Sequence, residues 1–181
     1  MIQSRLSALV LASLLAAVPA AASLKVGDKA PEFQAQSIQG DQVSTFSLAE
    51  SLKKGPVVLY FFPKAFTQGC TRETQMFAEA SDQFKALGAM IIGISRDDIA
   101  TLTRFDGSEC RSKFPMAADP DQAIMKSYDA VMPNKPEVAN RTTYVITPDD
   151  KVLYTFTDIK ADQHVPNALA ALKQWKEKAG Q

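Results

Sequence analysis

The chain has 181 residues, and its 20 Lys and Arg balance its 20 Asp and Glu, so the formal net charge is +0 at pH 7. This balance gives no basis for binding nucleic acid or an anionic membrane surface. The length is that of one domain, large enough to bury a substantial core without covalent staples. Two cysteines leave room for one disulfide, and with a single histidine they argue against a zinc site.

The first residues have the pattern of a targeting segment. Arg5 supplies a positive charge, residues 6–18 are apolar, and Ala20-Ala21-Ala22 fits the small-residue rule for cleavage. The alternative is a membrane anchor, but the apolar stretch is short for a span of about 20 residues. We therefore expect a signal peptide at 1–22, one mature domain at 23–181, and a periplasmic or secreted protein that is free of the membrane after cleavage.

The predicted elements alternate between strand and helix. A turn signal at residues 39–41 predicts an N-terminal hairpin within 33–46. The apolar run at 57–62 predicts a buried strand, and the helical spacing of Phe77, Ala80, Phe84 and Leu87 predicts a helix over 71–87. The remaining predictions, in chain order, are a strand at 90–95, a helix from 98 to about 105 that residues 106–108 weaken or break, a short helix at 121–128, a surface loop at 132–137, two hairpin strands at 142–146 and 152–157, and a last helix with Val165, Leu169, Leu172 and Trp175 on one face.

This order of elements predicts an α/β fold with a mixed central sheet and helices on both faces. Ligands of such sheets bind beyond the carboxyl ends of the parallel strands. Cys70 and the segment that follows Ser95 both fall at that edge.

Cys70 is the strongest candidate for chemistry, because it lies at a strand-to-helix turn. Free N–H groups and the positive end of the helix dipole meet there and favour the thiolate, which is the reactive form of cysteine. Pro63 can end the strand and press against the sulfur, and the Thr67 hydroxyl can face the same pocket. The alternative is that Cys70 is a buried structural cysteine with no chemical role.

The segment Pro63-Lys64-Ala65-Phe66-Thr67-Gln68-Gly69-Cys70-Thr71 resembles the peroxiredoxins, in particular the bacterioferritin-comigratory or PrxQ branch of the alkyl hydroperoxide reductase/thiol-specific antioxidant family. In that branch an aromatic-rich strand leads into Pro-Lys-x-x-Thr-x-Gly-Cys-Thr. Segments similar to the family's other conserved stretches follow the same order at 26–33, 94–97, 114–119 and 141–146, and the resemblance spans roughly residues 24 to 178. It implies a thioredoxin-like fold.

The resemblance also implies a thiol-dependent peroxidase. Cys70 would attack hydrogen peroxide or an organic hydroperoxide and become a sulfenic acid. Arg141 matches the family's active-site arginine, and its guanidinium, the Thr67 hydroxyl and the Cys70 N–H are candidate donors to the charge that develops. No haem, flavin, metal or other cofactor is needed, and a thioredoxin-like dithiol protein would supply electrons. Monomer and dimer both stay open.

Cys110 is where the chain departs from the family pattern. Many relatives carry a resolving cysteine five residues after the peroxidatic one, but that position is Gln75 here. Others carry it in the helix after the 90–95 strand, and Cys110 lies near that helix but further along. Because a disulfide needs Cα atoms within about 7 Å, a bond to Cys70 would require local unfolding. We expect Cys110 to be the resolving residue, which forms a disulfide with Cys70. The alternatives are an inert cysteine and an intermolecular partner.

Two further residues have open interpretations. Glu73 lies one turn into the helix and could hold Arg141, or could be an ordinary first-turn glutamate. His164, the single histidine, is expected to be a surface or first-turn residue rather than a catalytic one. For the whole protein, the alternatives to a two-cysteine peroxidase are a one-cysteine peroxidase, a non-enzymatic redox-sensing module, and a binding domain with a static Cys70–Cys110 disulfide.

Overall fold

A computed structural model describes residues 24–180, so the predicted signal peptide lies outside the described residues. Within 24–180, no helix is long and apolar enough to cross a membrane. The strands are β1 (Gln34–Gln39), β2 (Gln42–Ser47), β3 (Val57–Phe61), β4 (Met90–Ser95), β5 (Met116–Ala118), β6 (Val131–Met132), β7 (Lys135–Ala139), β8 (Thr142–Ile146) and β9 (Val152–Thr157). The helices are α1 (Leu48–Leu52), α2 (Gln68–Ala86), α3 (Ile99–Phe105), α4 (Ala123–Ser127) and α5 (His164–Ala179), and a π-helical turn, here called the π turn, spans Asp106–Cys110.

Seven strands form one sheet in the order β2-β1-β5-β4-β3-β8-β9. β4 pairs in parallel with β3 and with β5, whereas the other pairings in this sheet are antiparallel. The sheet is therefore mixed, as predicted, and the predicted N-terminal hairpin is confirmed as β1 and β2. Gly40 forms its turn with a positive φ of 62°, a conformation that glycine adopts without strain.

The central strand β3 is buried on both sides, as its apolar run predicts. Alternate residues point to opposite faces of a strand. Tyr60 and its neighbours on one face pack in a core with side chains of α2, α3 and α5. Phe61 and its neighbours on the other face pack in a core with side chains of α1 and α4. Helices thus cover both faces of the sheet, which confirms the predicted architecture.

Two pairings of β3 bring the later part of the chain to the end of this strand. The last residue of β3, Phe61, pairs with Ile94 of β4 and with Thr142 of β8. The residues that follow β3 and β4 and the residue that precedes β8 therefore meet at one edge of the sheet. This is the edge at which the sequence places Cys70 and Arg141.

One local prediction was wrong. The segment 132–137, predicted to be a surface loop, contains the turn and edges of a small β6–β7 hairpin. Pro136 is compatible with this pairing because a two-stranded sheet consists of edge strands, which tolerate proline. The α-helix that begins at Ile99 ends at Phe105, as predicted. Residues 106–108 continue as part of the π turn, which is followed by Arg111 in a left-handed conformation.

Candidate active site

Cys70 lies in the first turn of α2 and its side chain is fully buried. Thr67 precedes the helix in an extended conformation, and the first helical hydrogen bond runs from the Thr71 N–H to the Thr67 carbonyl at 2.9 Å. The N–H groups of Gln68, Gly69 and Cys70 consequently precede the helical ladder. The sulfur therefore lies at the positive end of a 19-residue helix, which favours an anion there.

The loop that carries Cys70 is tied to the end of the neighbouring strand. The Ala65 N–H donates to Asp97 Oδ2 at 2.8 Å, and the Ser95 hydroxyl donates to the same oxygen at 2.9 Å. Phe66 has a positive φ of 61°, and its ring packs edge-on against Phe105 at 5.1 Å. Asp97 therefore fixes the loop from β4, a role that the sequence prediction did not assign to it.

Pro63 and Thr67 flank this loop. Pro63 follows β3 directly after Phe62 and is half-buried, so the strand does end before it as expected. Thr67 is exposed, and its hydroxyl donates to the Lys64 carbonyl at 3.0 Å. The Thr67 hydrogen is thus directed at the backbone and not at the sulfur, in contrast to the expected hydrogen bond, while the lone pairs of the oxygen can still accept one.

Arg141 lies against the sulfur. Its Nη2 donates to Cys70 Sγ at 3.5 Å, its Nη1 donates to Glu73 Oε2, and its Nε donates to the Ile159 carbonyl at 2.9 Å. Burial opposes the charge of Arg141, but Glu73 and Cys70 outweigh this effect and raise the pKa of the guanidinium. A permanent cation fixed on three sides therefore lies against the sulfur and can pair with a negative charge there.

Gly69 makes this approach possible. A Cβ added at Gly69 would lie 3.0 Å from Arg141 Nη2. That distance is tighter than ordinary van der Waals contact, so any side chain here would press on the guanidinium that contacts Cys70. The glycine before the cysteine is therefore explained by the packing of Arg141, because its own φ is not in the left-handed region.

Glu73 is fully buried and forms an ion pair with Arg141. Burial raises the pKa of Glu73 to about 8, although the guanidinium works in the opposite direction. Of the two interpretations of Glu73, the structure places it as the partner of Arg141. Its second oxygen, Oε1, has no hydrogen-bond partner.

His164 lies in the first turn of α5, which is one of the two placements expected for it, but it is fully buried and not on the surface. Its Nδ1 lies 2.8 Å from the Thr143 hydroxyl and 3.6 Å from Glu73 Oε1, and its Nε2 lies 2.9 Å from the Asp158 carbonyl. No periodic pattern in the sequence indicates this burial, because it arises from the packing of α5 against β8.

Cys110 ends the π turn and is also fully buried. Both cysteines are free thiols, and Cys110 Sγ donates to the Phe114 carbonyl at 3.4 Å. Burial raises the pKa of Cys110 to about 12, so this thiol stays protonated at neutral pH. The structure therefore places Cys110 as a neutral buried thiol, not as a thiolate ready to react.

The π turn is held in place from two directions. The Gln75 side chain, at the position of a resolving cysteine in many relatives, donates to Glu109 Oε2 at 2.8 Å. Asp106 Oδ2 accepts from the Gly40 N–H at 2.7 Å and from the Ser112 hydroxyl at 3.1 Å.

Comparisons with known proteins agree on one family. A family model described as the AhpC/TSA family matches residues 26–155. The chain is 31% identical to a protein named peroxiredoxin Bcp from Xanthomonas campestris pv. campestris over 72% of this chain and 91% of that protein. It is 30% identical to peroxiredoxin Bcp of Escherichia coli K12, over 83% of this chain and 97% of the relative.

Solved structures show the same fold. The crystal structure of peroxidoxin BcpB from Mycobacterium tuberculosis superposes with a TM-score of 0.76 at 29% identity, over 83% of this chain and 97% of that chain. A C47S mutant of PrxQ from Xylella fastidiosa superposes with a TM-score of 0.77 at 22% identity, over 86% of this chain and 99% of that chain. The expected thioredoxin-like fold of the peroxiredoxins is thereby confirmed.

Proposed function

Because the chain belongs to the AhpC/TSA family and is a thiol-dependent peroxidase of the Bcp/PrxQ-like branch, we propose that Cys70 is the residue that reduces the peroxide. The observation that carries this assignment is the contact of Arg141 Nη2 with Cys70 Sγ at 3.5 Å, at the N-terminus of α2. A helix terminus and a fixed cation both stabilise a thiolate. Only a thiolate is nucleophilic enough for this reaction.

The reaction balances without a cofactor. The Cys70 thiolate attacks one peroxide oxygen, a sulfur–oxygen bond forms, and the oxygen–oxygen bond breaks. The second oxygen leaves with the electron pair of the broken bond and takes up a proton, which gives water or an alcohol. The sulfur is oxidised to a sulfenic acid and the peroxide is reduced.

Three neighbours serve this step. Arg141 is directed at the sulfur and can bind the peroxide oxygens as they become negative, and the Cys70 N–H is a second donor. The Thr67 oxygen can accept the hydrogen of the peroxide, because its own hydrogen is engaged by Lys64. Pro63 shapes the start of the loop and shields the sulfur from water.

The test is peroxide consumption by the pre-reduced protein. Without a reductant, the wild type should remove about one equivalent of hydrogen peroxide, and with a thioredoxin-type dithiol it should turn over. Cys70→Ser should remove none, while Cys110→Ser is the matched control that keeps the first equivalent. Equal consumption by the Cys70→Ser and wild-type proteins would disprove the assignment.

Cys110 is the proposed resolving residue. Its thiol would attack the Cys70 sulfenic acid, form a disulfide and release water, after the π turn opens. The disulfide would then be reduced by a thioredoxin-like protein. Support comes from Arg111 and Ser112, which follow the turn with positive φ values of 52° and 56° and make this segment costly to hold.

A one-cysteine cycle is the competing proposal, and it is favoured by the burial of Cys110 and by its hydrogen bond to Phe114. Intact mass after one equivalent of peroxide separates the two. Resolution predicts the loss of two hydrogens in the wild type and a stable sulfenic acid in Cys110→Ser. A sulfenic acid that persists in the wild type would instead establish the one-cysteine cycle.

We also propose that the mature enzyme is exported and acts in the periplasm or outside the cell. The support is the charged, apolar and small-residue pattern of residues 1–22. N-terminal sequencing of the protein from a periplasmic fraction should begin at Ser23. A chain that retains Met1 in the cytoplasmic fraction would contradict this proposal.

A further inference from the structure

The hydrogen bonds of His164 define its tautomer. The Asp158 carbonyl can only accept, so the ring nitrogen 2.9 Å from it, Nε2, carries a hydrogen. In a neutral ring Nδ1 is then an acceptor, and it accepts the hydrogen of the Thr143 hydroxyl at 2.8 Å. Nδ1 has a single lone pair, and in this arrangement the Thr143 hydroxyl occupies it.

The other polar neighbour of Nδ1 is an oxygen that has no hydrogen-bond partner. Glu73 Oε1 is buried, forms no hydrogen bond, and lies 3.6 Å from Nδ1. With Glu73 ionised, this contact joins two acceptors and is unfavourable. A proton added at Oε1 removes this repulsion. The new O–H group can then replace the Thr143 hydroxyl as the donor to Nδ1, once the two atoms close from 3.6 Å to hydrogen-bond distance. Glu73 Oε1 is therefore a buried atom at which a proton can be bound.

The charges at the site indicate when Glu73 Oε1 is protonated. Arg141 is the cation that contacts both Cys70 and Glu73. When Cys70 is a thiol, ionised Glu73 and Arg141 are neutral together. When Cys70 becomes a thiolate, the same groups carry one uncompensated negative charge in a buried site, which is costly.

We propose that Glu73 Oε1 and His164 Nδ1 together take up a proton when the Cys70 thiol loses one, so that Arg141 balances one anion at a time. The sulfur–hydrogen bond breaks and an oxygen–hydrogen bond forms at Oε1, and Nδ1 accepts a hydrogen bond from Oε1 in place of the one from the Thr143 hydroxyl. This inference rests on the proposed role of Cys70 as a thiolate. It makes His164 a positioning residue that acts on Cys70 through Glu73 and Arg141.

Burial supports the same arrangement. It raises the pKa of Glu73 and lowers the pKa of His164, so a proton that enters the pair resides on the carboxyl group. The groups that face His164 are Glu73 of α2, Arg141 and Thr143 at the start of β8, Asp158 after β9, and the ring of Phe156 of β9 at 4.9 Å. Among these, Glu73 is the carboxylate with an unpartnered oxygen.

The test uses the single histidine of the chain, since ¹⁵N-histidine labelling gives one pair of ring signals. In the reduced wild type, the Nδ1 signal should shift with pH as the hydrogen bond from Glu73 forms. In Cys70→Ser the midpoint of this shift should fall by about 0.5 to 1 pH unit, because the thiolate charge is gone. In Glu73→Gln the pH-dependent step should disappear.

A second measurement follows the thiolate itself by its ultraviolet absorbance. Its pH midpoint should rise by about 0.5 to 1 unit in His164→Phe, which removes the acceptor, and should fall in Glu73→Gln, which removes the competing anion. Phe156→Leu is the control, because it alters the packing of the His164 ring and leaves Nδ1 in place. It should leave the midpoint unchanged.

A merely structural histidine gives a different result. Its Nδ1 signal would have the same pH dependence in the wild type and in Cys70→Ser, and this outcome would overturn the inference even if His164→Phe failed to fold. Neither measurement requires peroxide. A coupled titration in a protein that does not consume peroxide would therefore refute the proposed function and leave the coupling established.

Discussion

Gly69→Ala tests how closely Arg141 must approach the sulfur. The new Cβ would lie 3.0 Å from Arg141 Nη2, so the guanidinium must retreat by a few tenths of an ångström. Nη2 lies 3.5 Å from Cys70 Sγ. At an effective dielectric constant of about 20, a retreat to about 4.0 Å weakens the attraction between the two charges by about 0.6 kcal/mol. This is about a threefold loss in any rate that depends on the contact.

The same substitution should not destabilise the protein. Gly69 is in the first turn of α2 and has no left-handed φ, so alanine fits the backbone. Alanine in a helix is favoured over glycine by about 0.5–1 kcal/mol, which offsets the crowding of Arg141. Stopped-flow measurement of peroxide reduction and urea unfolding should thus show a slower reaction in a protein of similar or greater stability.

Gly107→Ala provides the matched control, because a Cβ at Gly107 meets nothing within 4 Å. Its rate of peroxide reduction should equal that of the wild type. If Gly69→Ala kept the wild-type rate as well, the position of Arg141 would not govern the reactivity of Cys70, and this reasoning would be refuted.

Three further predictions concern the same contacts. Arg141→Met leaves Glu73 buried without its cation, so the free energy of unfolding measured in urea should fall by about 3–5 kcal/mol. The rate of peroxide reduction should fall at least about 100-fold. A small decrease in either quantity would contradict the account. Asp97→Ala releases the Ala65 N–H and should lower the free energy of unfolding by about 1–3 kcal/mol, with a slower peroxide reaction and unchanged helix content by circular dichroism. The pKa of Glu73 is raised from 4.5 to about 8, so the folded state binds more protons than the unfolded state in this range, and stability should decline as the pH rises through it. Urea unfolding at several pH values should show a shallower decline in Glu73→Gln, and an unchanged slope would exclude Glu73 as its source.

The parts of the site that local sequence patterns encode could be predicted. Cys70 follows a long apolar run and precedes a helical repeat, so its place at a strand-to-helix turn depends on neighbours in the sequence. Predicting the position of Arg141 required a further assumption, which is that the strand after it pairs with β3. The structure confirms this pairing, with Thr142 opposite Phe61.

The parts that depend on tertiary packing could not be predicted. His164 lies next to an exposed glutamine and begins a helix, and nothing nearby in the sequence indicates that β8 and α2 enclose it. The reason for a glycine at position 69 is visible only in the structure, where Arg141 lies beside it. The hydrogen bond from Ala65 to Asp97 joins residues 32 positions apart. Each of these roles arises from the meeting of separate elements at one edge of the sheet.

The π turn was missed for a different reason. Asp106, Gly107 and Ser108 are weak helix formers, which made a break the natural expectation. In the structure Asp106 Oδ2 accepts hydrogen bonds from the Gly40 N–H and the Ser112 hydroxyl, and the segment stays helical although Oδ1 has no partner. A short polar segment can therefore stay helical when partners from other elements take up its polar groups.

The most direct test of the account is the intact mass of pre-reduced Cys110→Ser protein, quenched within a second after one equivalent of hydrogen peroxide is added. The account predicts a gain of one oxygen that peptide mapping places on Cys70. The gain should be absent when Cys70 is also replaced by serine. An unchanged mass in Cys110→Ser would mean that Cys70 is not an activated thiolate, and would contradict its assignment as the residue that reduces the peroxide.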